Sequence, residues 1–164
     1  MSTQSLSFPA ERPHALSAIL WGGLIAGVLD AVDGVAAYGV LGMNPIQVLQ
    51  YIASGLLGPD SFKGGLATAA LGTLLHFFIA FTVAAVYCTA SLRWTVLIRK
   101  PIQFGLSFGA AVYFVMNYLV LPLSAVAKSP FSLGLFLNGV IGHALFVGLP
   151  IALYARKFVK PALD

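Results

Sequence analysis

Six polar side chains stand out in this chain because of what surrounds them. Asp30, Asp33, His76, Asn117, Asn138 and His143 all fall inside long runs of apolar residues. A polar group in lipid costs free energy unless it is paired or hydrated, so such residues mark candidate sites. Asp30 and Asp33 are three apart and share a face if the segment is helical. Two carboxylates one turn apart repel, which makes the pair a natural holder of a proton or a small cation, with an imidazole as partner. The set therefore points first to proton or cation handling. His76 and His143, at matching depth, also suit axial ligation of a b-type haem, with Gly72, Gly139 and Gly142 leaving room for the macrocycle. Asp30, Asp33, His76 and His143 have ligand types acceptable to Zn²⁺ or Mn²⁺, but no local motif such as HExxH accompanies them, so no metal is assigned. The plainest alternative is that each histidine hydrogen-bonds across helices and only fixes the packing.

Other chemistries find no support. Nucleophilic catalysis needs a serine or cysteine near a histidine and an orienting acid. Cys88 belongs to the opposite edge of its segment, and Ser54, Ser61 and Ser124 carry no signature around them. The glycines of GGLIAG lie within an apolar run, where close helix packing outweighs nucleotide binding. No enzyme is expected.

The elements that must place these groups follow from charge. The 164 residues are 59% hydrophobic and 9% charged, where a soluble domain carries about 25%. This composition excludes a soluble fold, and also intrinsic disorder, which needs many charges. Of nine basic and five acidic side chains, only Asp30 and Asp33 interrupt a long apolar run. Gly64 to Leu92, Pro101 to Ala127 and Ser129 to Ala155 hold no charge. With the stretch from about Ala15 to Tyr38, each exceeds the roughly 20 residues that cross ~30 Å of hydrocarbon as a helix. The expected fold is all-α: a four-helix transmembrane bundle over residues 15–158, with helices at about 15–38, 66–90, 101–123 and 132–155. Residues 1–14 and 159–164 would be cytoplasmic tails. The first run is too long for the apolar core of a cleaved signal peptide and reads as an anchor.

Orientation follows from lysine and arginine. Arg12, Arg93, Arg99, Lys100, Arg156, Lys157 and Lys160 would share one side, against Lys63 and Lys128 on the other, which puts both termini in the cytoplasm. Trp21, Trp94, Tyr87 and Tyr154 then fall near the cytoplasmic interface. The basic balance is a topology signal, and no nucleic-acid partner is implied. All six polar candidates lie between midplane and the outer surface, as an outward-facing pocket would require.

The connection between the first two helices has its own pattern. Asn44-Pro45 is a capped helix start and Gly58-Pro59 a stop, which predicts a short amphipathic interfacial helix over about 45–57. Ile46, Leu49, Ala53, Leu56 and Leu57 share one face, while Gln47, Gln50, Tyr51 and Ser54 share another. Lacking lysine and arginine, it is expected to lie on the bundle as a lid. Aligning His76 with His143 also aligns Gly72 with Gly139 and Tyr87 with Tyr154. Gly23 with Gly27, and Gly105 with Gly109, form matching small-xxx-small pairs. Two parallel hairpin repeats are one reading of these matches, and chance coincidence in a Gly- and Ala-rich sequence is the other. Pro122 and Pro150 read as kinks or end markers.

The segments GGLIAGVLDA around Asp30, LHFFIAFTVAAVY around His76, VMNYLVLPLS around Asn117 and HALFVGLPIAL from His143 resemble a group of small uncharacterised bacterial inner-membrane proteins. More distantly, they are similar to an inner-membrane family associated with acid resistance. The resemblance covers about Ala18 to Phe158. It implies a four-helix protein of the bacterial plasma membrane and carries no catalytic residue. The partners expected are the lipid bilayer and, through the GxxxG pairs, a second copy or another membrane subunit to which this chain is accessory. Impermeant labelling of cysteines introduced at either terminus should fail from the outer side of intact cells; labelling of one terminus alone would mean an odd number of crossings.

Overall fold

The computed structural model describes residues 13–127 and 130–159. The expected N-terminal segment before residue 13, Lys128 and the tail from Lys160 lie outside the described residues. Among the described residues there is no strand. Helix α1 spans Pro13–Gly39, α2 Pro45–Leu57, α3 Gly65–Arg93, and α4 is a single turn at Val96–Arg99. Two further long helices complete the fold, α5 over Pro101–Leu123 and α6 over Leu133–Phe158. With α1 and α3 they are the four helices long and apolar enough to cross a membrane, matching the expected spans to within a few residues.

The packing is small inside and large outside. Ala18, Ala26, Ala84, Ala152, Ala155, Cys88 and Ser91 are buried, while Leu74 and Phe78 on α3 are 70% and 69% exposed. A soluble helix would turn such side chains inward. Helices in lipid gain nothing by hiding leucine from acyl chains, and they associate through small residues that let backbones touch.

Glycine sets the closest approach. A Cβ at Gly109 would collide with the carbonyl oxygen of His143, and one at Gly148 with that of Gly105, so α5 and α6 meet backbone to backbone. Gly23 and Gly27 of α1 do something different, since they receive the rings of Phe81 and Phe77 from α3. Around the bundle the order is α3, α1, α6, α5, with α1 packed on both α3 and α6. The basic end, which carries Arg93, Arg99, Lys100, Arg156 and Lys157, is closed by Ala84, Tyr87, Cys88, Ile151, Ala152 and Ala155, with Leu97 and Ile98 of α4 packed against them.

Both π-helical stretches sit just before a proline. Met116–Val120 precedes Pro122, and His143–Gly148 precedes Pro150. A proline ring crowds the carbonyl four residues back, and widening the turn relieves that clash. The N–H groups of Leu121 and Leu149 accordingly donate to the carbonyls of Met116 and Ala144, five residues back. Of the two readings that the sequence leaves for Pro150, kink or end marker, the second does not hold, because Pro150 lies inside α6.

Helix α2 begins as expected. Asn44 Oδ1 accepts from the Gln47 N–H at 3.0 Å, Gln47 Oε1 accepts from the Asn44 N–H at 2.9 Å, and Pro45 fills the first turn. Gly58, at φ +61°, ends it in the left-handed region. The helix lies along α3, its backbone at Leu49 occupying the space over Gly72. It buries Gln50 and Ser54 together with Val48 and Ala53: Gln50 Nε2 donates to the Gly65 carbonyl at 3.0 Å, while Ile46, Gln47, Leu56 and Leu57 face outward.

Two expectations are corrected. Tyr87 is not an interfacial aromatic but is 1% exposed, its hydroxyl donating to the Leu97 carbonyl at 3.0 Å. The hairpin repeat is not matched in contacts. Among the described residues α1 packs along α6 at length, whereas α5 and α3 barely touch. Gly72 faces α2, while its expected counterpart Gly139 faces the Tyr113 ring.

Gly109→Leu should separate α5 from α6 and lower stability by about 3 kcal/mol or more. Gly34→Ala, whose added Cβ would find nothing within 4 Å, should leave stability unchanged or raise it by up to ~1 kcal/mol. Thermal unfolding in detergent compares them.

Candidate functional site

Helices α1 and α6 run antiparallel, and their seam brings the acidic pair against α6. Asn138 Nδ2 donates to Asp33 Oδ2 at 2.9 Å. One turn along, His143 Nδ1 stands 3.7 Å from Asp30 Oδ1. That separation is too long for a hydrogen bond, and His143 Nδ1 is a buried atom without one. Gly142 completes the arrangement, because a Cβ there would fall 2.6 Å from Asp33 Oδ2. The i,i+3 spacing on α1 thus meets a glycine, an amide and an imidazole on α6.

The other expected members have different duties. His76 on α3 makes a 2.8 Å hydrogen bond between its Nε2 and the Gly27 carbonyl, clipping α3 to α1 as the packing alternative foresaw. Asn117 donates from Nδ2 to the Tyr113 carbonyl of its own helix at 3.0 Å, so it belongs to the wall of the site and not to the acid–imidazole cluster.

These groups line a cavity of about 760 Å³ between α1, α3, α5 and α6, roofed by Leu49, Tyr51 and Ile52 of α2. The segment after α5 is tied to that roof by a hydrogen bond from the Ala125 N–H to the Gly55 carbonyl, 3.0 Å. Among the described residues no lysine or arginine lines the space. Aromatic walls come from every side: Tyr38 lies 5.3 Å from Tyr51, ring to ring, and Tyr113 stands edge-on to His143 at 5.5 Å. The Tyr113 ring also fills the space over Gly139. Tyr38, Tyr51 and Tyr113 escaped the reading of the sequence, which weighed only groups costly in lipid. For Tyr113 a signal existed, since it continues the four-residue spacing of Gly105 and Gly109.

The ligand alternatives fare unequally. Among the described residues no three His, Cys, Asp or Glu side chains converge as a metal site. His76 is turned to Gly27 and Asp33 to Asn138, which separates the four groups that a Zn²⁺ or Mn²⁺ site would need. The residues also do not fit a haem. The room assigned to a macrocycle is taken by the α2 backbone at Gly72, the Tyr113 ring at Gly139 and the Asp33 carboxylate at Gly142. Cys88 is buried at the far, basic end.

No protein-family model, curated protein or solved structure matches the chain. The site therefore stands on its own chemistry. Asn138→Leu should leave the Asp33 carboxylate without its donor and cost about 1–3 kcal/mol. Asp33→Leu combined with Asn138→Leu should cost clearly less than the two singles added, as a double-mutant cycle by unfolding in bicelles would measure.

Proposed function

We propose that this is a non-enzymatic, multi-pass protein of a bacterial plasma membrane, with both termini cytoplasmic, that binds and releases protons or a small cation within its outer half. One observation carries this reading. Asp30 and His143 face each other across 3.7 Å with no hydrogen bond between them, in a cavity that, among the described residues, offers no lysine or arginine as countercharge. A proton or cation entering there gains the Asp30 carboxylate and the unpaired His143 Nδ1 as partners, in surroundings where electrostatic attraction is weakly screened. Asp33, held by Asn138, adds negative charge one turn away.

The site is one-sided. The side chains around Tyr87 and Ile151 close the basic end, and the cavity's lining reaches no further along α6 than Val147. Binding from one face, and not conduction through the bundle, is what such a blind pocket supports. The positive-inside arrangement makes that face the outer one. A titratable outward pocket also agrees with the resemblance to the acid-resistance-associated family.

Infrared difference spectroscopy on reconstituted protein tests this. Acidification should raise a protonated-carboxyl band that shrinks in Asp30→Asn and in Asp33→Asn. A band indifferent to both substitutions would refute the assignment.

A further inference from the structure

The cavity is far larger than a proton or a dehydrated inorganic ion needs. At about 760 Å³ it falls within the ~300–1,000 Å³ of pockets that enclose drug-sized molecules. Its chemistry is divided. One wall carries Asp30, Asp33, Asn138 and His143. Apart from His76, Asn117, Ser124 and Ser132 the remainder is apolar and aromatic, with Tyr38 from α1, Tyr51 from α2, Tyr113 from α5, Phe131 just before α6 and Phe136 in its first turn.

Charge decides what such a space favours. Among the described residues, the ionisable groups facing it, phenols aside, are Asp30 and Asp33 from α1, His76 from α3 and His143 from α6, while α2 and α5 contribute no acid, base or imidazole. His76 is engaged with the Gly27 carbonyl, while Asp33 accepts from the neutral amide of Asn138 and interacts electrostatically with His143 and Asp30. Among the described residues, a negative charge at Asp33 therefore has an imidazole near it but no lysine or arginine. Without three converging ligands, an inorganic ion would be poorly caged. A cation that brings its own apolar body would be matched on both counts, its charge against the carboxylates and its body against the aromatic walls.

We infer that the pocket formed by Asp30, Asp33, Tyr38, Tyr51, Tyr113 and His143 binds an amphiphilic organic monocation, an onium or amine group on an apolar body. This deepens the cation-binding reading above and rests on it. The same chemistry is offered by a free lipophilic cation and by the amine headgroup of a membrane lipid.

Tetraphenylphosphonium serves as the probe, with neutral triphenylphosphine oxide as control, both measured by equilibrium binding to the full chain in phosphatidylcholine nanodiscs. Saturable binding of one phosphonium per chain is expected, weakened about tenfold or more in Asp33→Asn, with little binding of the oxide. Gly34→Leu provides a second variant, since Gly34 lines the cavity with nothing within 4 Å of its added Cβ. It should fill the space and abolish phosphonium binding while leaving the acid-induced carboxyl band intact. If phosphatidylethanolamine in the nanodisc competes, the lipid amine is the occupant; if binding persists undiminished, a free cation is. Equal binding of the oxide, or phosphonium binding unchanged in both variants, overturns the inference. A carboxyl band that responds to acid with no phosphonium binding overturns it alone, and loss of both signals overturns the cation-binding reading as well.

Discussion

Everything in this bundle depends on keeping two carboxylates inside an apolar structure. An ionised side chain away from water is tolerated only with partners, and the partners here come from one neighbouring helix. The antiparallel seam of α1 and α6 places Asn138 opposite Asp33 and His143 opposite Asp30, and Gly142 supplies the space that the Asp33 carboxylate occupies. Shift that register by one residue and the carboxylates would meet Leu137 or Ile141, both on the exposed face of α6.

The seam in turn relies on the way α5 supports α6. Gly105, Gly109 and Gly148 let the two backbones touch, and this contact falls on the stretch where α6 widens into a π-helix. The widened turn begins at His143 and is enforced by Pro150. The imidazole thus projects from an irregular turn, as functional groups on π-bulges commonly do. The same device recurs on α5, where Pro122 accompanies the π stretch holding Asn117. There the side chain turns back on its own helix, so an identical backbone feature yields a wall residue on one helix and a cluster residue on the other.

Asymmetry makes the pocket. Had α5 packed along α3 as α1 packs along α6, the interior would be filled and the polar groups would be simple packing elements. Instead α2 covers the gap, held to α3 by the close approach at Gly72 and by Gln50. The rhyme between His76 and His143 is present in the letters but absent in the contacts: one histidine clips α3 to α1, and the other faces a carboxylate at 3.7 Å.

Chain chemistry alone determined the class of fold, the four long helices, the start and stop of α2 and the residues that lipid would make expensive. These depend on local composition, on run length against hydrocarbon thickness and on capping side chains a few residues away. Only tertiary structure decided that Asp30, Asp33, Asn138 and His143 form the cluster while His76 and Asn117 serve packing, that tyrosines build the walls, and that α2 turns Gln50 and Ser54 inward beside Val48 and Ala53. Which face of an almost uniformly apolar helix turns inward cannot be read from periodicity, because lipid and protein interior are equally oily. Backbone contact at glycine settles it, and glycine shows its neighbour only once the helices have met.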